Sequence, residues 1–194
     1  VISGKKNNYE TDLFVFVFEE IEKLIKVKLN ESNKVSFRII SDHIKSICML
    51  MSDGIIPSNE GRGYVLRRII RRAIVQGNKI SKEKIFLHKL VKGVINKYSE
   101  YYFELKKSQK FIEENLKNEE VKFSETLLTG LSILNDEISK KNPKQLSAEL
   151  AFKLYDTYGF PVDVTQNILI EKGIRLDINQ YLEIVKKNKE RQKD

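Results

Sequence analysis

A single cysteine, Cys48, has no partner for an intrachain disulfide, so this sequence is not a disulfide scaffold. It lies in an apolar helical pattern, which marks a buried structural thiol and not a nucleophile. Only two histidines, His43 and His88, are present and no Cys/His cluster exists, so metal chemistry is poorly supplied; each histidine reads as a core or boundary residue. No Ser/His/Asp grouping is visible. No apolar run is long enough to span a bilayer. The stretch "LFVFVF" at 13–18 is too short, and too closely flanked by acids, for a signal peptide. With neither disulfides nor a membrane segment, the expected compartment is the cytoplasm. Three prolines and nine glycines leave few breaks, and nearly all apolar patterning has period 3.6. The first residue is Val1 and not Met, so the chain is expected to be a piece of a longer protein.

What is abundant is charge. Charged residues make up 32% of the chain and the net charge is +8, which suits an acidic partner such as nucleic acid or an anionic membrane without choosing between them. At 41% hydrophobic residues the chain can still bury a core, as one large domain or two small ones. The positive charge is written mostly as lysine, 27 against 8 arginines, yet five of the arginines fall between residues 62 and 72.

The expected fold is all-α: a helical bundle with a long charged helix or helical hairpin and a C-terminal group of short helices. "TDLFVFVFEEIEKLI" reads as a helix capped by Thr11 or Asp12, although its Phe-Val alternation also fits a short strand. "VSFRIISDHIKSICMLMSDG" puts Phe37, Ile40, Ile44, Ile47 and Met51 on one face and stops at Gly54. A third helix follows Pro57, with Ser58 or Asn59 as its cap. A fourth covers about 81–97. The run 100–140 carries a partial stripe of Phe111, Ile112, Phe123, Leu127, Leu131, Leu134 and Ile138, as one helix or two. "NPKQLS" at 142–147 reads as a linker. Ser147 then caps a short helix that ends at Gly159, and Pro161 opens the next in its first turn, ending at Gly173. Asp177 and Gln180 resemble a capping box for a last helix with a charged, fraying tail.

The arginine helix, "PSNEGRGYVLRRIIRRAI", separates on a wheel of about 100° per residue. Val65, Leu66, Ile69, Ile70, Ala73 and Ile74 fill one half. Arg67, Arg68, Arg71 and Arg72 fill the other, with Tyr64. Like charges at i,i+4 repel by a few tenths of a kcal/mol per pair, and no acid within 61–74 relieves them. Such a face suits phosphate, which the planar guanidinium binds bidentately; the plain alternatives are a solvated face or acids elsewhere in the fold. The glycines of "EGRG" lack the preceding strand and following Lys-Ser/Thr of a phosphate loop, and fit a tight helix start or a close backbone approach. A second odd place is "AFKLYDTYGFPVDVT". Asp156 stands in the last turn of a helix, where an acid opposes the dipole at a cost of roughly 0.3–1 kcal/mol if exposed. Tyr155, Tyr158 and Phe160 read as packing residues.

Together, "SDHIKSICMLMSDGIIPSNEGRGYVLRRIIRRAI" and "AFKLYDTYGFPVDVT" resemble the middle, helical tRNA-recognition region of the bacterial-type alanyl-tRNA synthetase family, and "NYETDLF" at 8–14 resembles the segment just after that family's catalytic domain. The similarity covers about residues 8–175 and is weakest over 79–122. It implies three parts: a connector at 1–30 following a catalytic domain absent from this chain, an acceptor-stem-binding subdomain at 31–141, and a second helical subdomain at 142–194. It implies that Asn59 and Asp156 read the G·U identity pair of alanine tRNA, and that Arg62, Arg67, Arg68, Arg71 and Arg72 track its backbone. It further implies that no cofactor belongs to this segment, since ATP with magnesium and zinc serve the absent catalytic and editing domains. The partners implied are alanine tRNA, through its acceptor stem, and those two domains of the same protein. The chemistry agrees with the assignment. A-form RNA presents base edges in a shallow minor groove, where guanine's 2-amino group is the one donor. A carboxylate accepts only, which suits that amino group, and an Asn amide suits a mixed edge. An all-helical protein-interaction module without RNA binding is the alternative. A membrane-surface helix is disfavoured, because the arginine helix lacks a Trp/Phe-rich apolar face.

Overall fold

The computed structural model describes residues 4, 7–141 and 143–191. Among them are eight α-helices and one pair of two-residue strands: α1 (Asp12–Ile25), α2 (Lys34–Ser52), α3 (Gly61–Ile80), α4 (Val91–Tyr98), α5 (Glu104–Lys141), β1 (Gln145–Leu146), α6 (Ala148–Asp156), α7 (Val162–Glu171), β2 (Arg175–Leu176) and α8 (Ile178–Arg191). No helix among the described residues is long and apolar enough to cross a membrane. The chain forms two compact units, Val1–Ser124 and Glu125–Asp194. The division falls inside α5 and not after residue 141, because the later turns of that helix pack with the second unit: Gly130 lies against the ring of Phe160.

In the first unit the Phe-Val alternation is helical throughout, and Val17 and Ile21, one turn apart, are the residues of α1 that it buries. Tyr98 anchors the helix by donating its hydroxyl to Leu13 O at 3.0 Å. The five residues expected on one face of α2 are all buried, with Cys48 beside them. Burial pushes the Cys48 thiol up to about 12, which leaves it protonated and inert. The helix ends in a left-handed turn at Gly54, φ 81°. There Gly54 N bonds Met51 O and Ile55 N bonds Leu50 O, so two orphan carbonyls are satisfied.

The fourth helix starts later than its apolar pattern suggests. Residues 81–86 are irregular, a single 3-10 turn covers Leu87–Leu90, and α4 begins at Val91. The cap comes from far along the chain. Glu120 of α5, 1% exposed, accepts from the backbone N–H of Phe86 and Leu87, both at 2.7 Å, and from that of His88 at 3.2 Å.

The run 100–140 is one helix, α5, and not a hairpin. Its buried stripe is Leu105, Ile112, Leu116, Glu119, Glu120, Phe123, Leu127 and Leu134; Phe111, expected on the stripe, is exposed. In the second unit the expected linker holds β1, which pairs in parallel with β2 as Gln145↔Arg175 and Leu146↔Leu176; Asn142, the first residue of that linker, lies outside the described residues. Ser147 caps α6 by accepting from Leu150 N at 3.2 Å. Pro161 is the cap of α7, one position earlier than expected. Asp177 Oδ1 accepts from Asn179 N and Gln180 N, both at 3.0 Å, and starts α8, which stays helical to Arg191. Residues 192–194 of the charged tail lie outside the described residues.

Candidate nucleic-acid interface

Helix α3 is rotated from the orientation its wheel suggests. Gly63, Leu66, Ile70, Ala73, Ile74 and Gly77 are buried, while Val65 is 54% exposed. The reason is that α3 meets two neighbours. On one side α2 holds it, with a buried hydrogen bond from Ser36 Oγ to Gln76 Oε1 at 2.9 Å. On the other side stands Glu119 of α5, whose side chain is only 8% exposed. Arg71 Nε donates to Glu119 Oε1 at 3.2 Å, and its guanidinium lies over the Phe123 ring. Arg67 Nε is 3.0 Å from the same oxygen, in a geometry that gives an ion pair but no aligned hydrogen bond. Arg67 and Arg71 are therefore mostly covered, at 21% and 24% side-chain exposure. The expected face of four arginines is reduced to Arg68 and Arg72, which are exposed, with Arg62 exposed near the start of the helix. Arg68 lies over the ring of Tyr64, 5.9 Å from its centroid. His43 of α2 is pushed below its ordinary range by burial, against the pull of Asp42, and the charge of Arg72 adds to that shift.

The loop before α3 is fixed to its first turn. Contrary to the expectation from sequence, neither Ser58 nor Asn59 caps the helix; Glu60 takes the cap position without a side-chain bond. Ser58 N instead donates to Gly63 O at 3.2 Å, and Ser58 Oγ donates to Glu60 O at 2.8 Å. A Cβ on Gly63 would stand 2.2 Å from Ser58 Oγ and 2.4 Å from Ile56 O, so only glycine lets the loop lie this close. Asn59 is exposed at its tip, and its Oδ1 accepts from Arg67 Nη1.

Asp156 is the last residue of α6 and is exposed. No ion pair or hydrogen bond to its carboxylate is seen among the described residues. The turn after it is well tied: Thr157 N, Gly159 N and Phe160 N donate to Lys153 O, Tyr155 O and Leu154 O. Phe160 is fully buried, and a Cβ on Gly130 would fall 2.2 Å from its ring. Tyr155 packs edge-on against Tyr181 of α8. Asn59 belongs to the first unit and Asp156 to the second.

Sequence reasoning missed Glu119, Glu120 and Gly130. A signal for the glutamates was present, because Glu119 falls one turn after Leu116 and one turn before Phe123, where the stripe calls for an apolar residue. Among the described residues no group of three or more His, Cys, Asp or Glu side chains could hold a metal ion.

A model of the family described as tRNA synthetases class II (A) matches residues 1–194. The alanine–tRNA ligase of Psychrobacter sp. (strain PRwf-1) is 44% identical over 195 residues, which cover 100% of this chain and 21% of that protein. The alanine–tRNA ligase of Petrotoga mobilis is 44% identical over 193 residues, 98% of this chain and 22% of that protein. That of Legionella pneumophila (strain Corby) is 44% identical over 191 residues, with the same shares of each. The chain thus spans about a fifth of the length of the curated relatives it matches. With the match running over the whole chain, it belongs to the class II (A) family of tRNA synthetases, the alanyl-tRNA synthetases.

Proposed function

We propose that this chain is the part of an alanine–tRNA ligase that recognises the acceptor stem of alanine tRNA, for aminoacylation by an ATP-dependent catalytic domain lying outside it. The observation that carries the reading is an exposed Asn59, anchored from behind, at the foot of a helix whose open face holds Arg68 and Arg72. Arg62, Arg68 and Arg72 supply phosphate contacts, which give affinity and register but no sequence information. Asn59 and Asp156 read the G·U pair at the third position of the stem. In a wobble pair the 2-amino group of guanine has no pairing partner, and the Asp156 carboxylate, which can only accept, is suited to it. The dipole penalty at the end of α6 is small beside the roughly 1–3 kcal/mol of discrimination such a contact brings. ATP, magnesium and zinc belong, in this reading, to the parts of the longer protein beyond this chain.

Filter binding of the chain to two acceptor-stem hairpins, alike except for G·U or G·C as the third pair, tests the reading. Asp156→Ala is expected to lower affinity for the G·U hairpin about tenfold or more and to leave the G·C hairpin nearly unchanged. Equal losses on both would remove the specificity role of Asp156. An absence of salt-sensitive binding to either hairpin would instead favour an interaction with an acidic protein.

A further inference from the structure

We infer that Arg67 is a positioning residue for Asn59 and not a phosphate contact, so that Asn59 meets the RNA through its amino group. The inference rests on the reading of Asn59 as a base-contacting residue.

All three nitrogens of the Arg67 guanidinium face oxygens of the protein. Nη1 donates to Asn59 Oδ1, Nη2 donates to Pro57 O at 3.3 Å, and Nε lies 3.0 Å from Glu119 Oε1. The side chain is 21% exposed. A guanidinium carries donors and no acceptor. The Asn59 amide therefore turns its oxygen inward and its NH2 outward, and the reverse orientation would set donor against donor. Glu119, itself nearly buried, holds the back of the fork and is shared with Arg71. Gly63 lets the loop lie close against the helix, since the Ile56 carbonyl and the Ser58 side chain occupy the place a Cβ would take. Asn59 is thus fixed by a relay that begins on α5, with Glu119 holding Arg67 and Arg67 holding Asn59.

The consequence is chemical. Asn59 does not offer the mixed edge that its amide would present if free. It presents N–H donors, which seek an acceptor on the minor-groove edge, a pyrimidine O2, a purine N3 or a ribose 2′ oxygen. Asp156 offers acceptors only. The two residues are opposite in polarity, so they cannot exchange roles.

The test measures binding of the chain to the G·U and G·C hairpins across a salt series, with folding of each variant checked by thermal melting. Asn59→Ala is expected to lower the preference for G·U about tenfold, the size of one good base contact. Arg67→Lys and Arg67→Ala are expected to lower it similarly while the slope of log affinity against log salt stays that of the parent. Lysine keeps the charge but cannot fork between Asn59 and the Pro57 carbonyl. Adding Arg67→Ala to Asn59→Ala is expected to cause no further loss of preference. A slope reduced by about one unit in Arg67→Ala, with full preference retained in Arg67→Lys, would mean a phosphate contact and overturn the inference. Where Arg67→Ala does not fold, Arg67→Lys decides alone. If Asn59→Ala leaves the preference intact, it is the reading of Asn59 that fails, and that single variant separates the two failures.

Discussion

Glu120 shows how much one side chain can carry. Its carboxylate is 1% exposed and receives three backbone N–H groups, of Phe86, Leu87 and His88. His88 Nδ1 lies 2.9 Å from its second oxygen. Hydrogen bonds to a charged group contribute roughly 1.5–3 kcal/mol each, and buried donors left without a partner cost a similar amount. The contributions are not additive, so Glu120→Ala is expected to cost the chain about 3 kcal/mol or more. Glu120→Gln keeps one acceptor, enough for the Phe86 and Leu87 pair at Oε1, and is expected to cost about half as much. Urea unfolding of both variants checks this. Equal losses would show that shape at this position matters more than acceptance. The same residue explains a boundary that sequence could not supply. The apolar pattern runs back to Ile85, and nothing local tells where the helix starts, because the cap is provided from thirty-odd residues downstream.

At the scale of elements, what could be read in advance was what neighbouring residues decide. The face of α2 follows from period 3.6, and the caps at Ser147 and Asp177 follow from the chemistry of one side chain. The orientation of α3 could not be read this way, because two partners, α2 and α5, divide its surface; Val65 is left outside and Arg67 and Arg71 are drawn in. The resemblance singles out Asn59 and Asp156 as candidates, whereas it does not point to Glu119 or Gly130, which pack behind the segments that carry them. Gly130 is the clearest case. Within a helix a glycine is a weak residue by about 1 kcal/mol relative to alanine, so sequence alone recommends Gly130→Ala as stabilising. The structure predicts the opposite sign. A Cβ there would sit 2.2, 2.7 and 2.8 Å from ring atoms of Phe160, which is fully buried. Overpacking of this kind costs roughly 1–3 kcal/mol, and the relief comes by shifting the turn that carries Asp156. Gly130→Ala is expected to lower the urea midpoint and to reduce the preference for a G·U hairpin without changing salt dependence. A variant more stable than the parent would show that the turn yields freely.

For the whole molecule the governing quantity is charge. The chain has a net charge of +8, spread mostly over lysines, with the arginines concentrated on one helix. At 0.1 M salt the Debye length is about 10 Å, so distant lysines steer an approaching anion only weakly and local contacts set the salt response. Each phosphate neutralised by a cation contributes close to one unit of slope in log affinity against log salt. Between 50 and 200 mM salt, one such contact corresponds to about a fourfold loss of affinity. Arg68 and Arg72 are the exposed members of the α3 cluster, one turn apart. Arg68→Ala and Arg72→Ala are each expected to reduce the slope by about one unit, equally for G·U and G·C hairpins, and the double variant by about two. Arg68→Lys retains the charge and is expected to retain the slope, which separates loss of a phosphate contact from a disturbed helix. If the double variant keeps the parent slope, the open face of α3 does not meet the RNA backbone. The net charge would then act from some other surface.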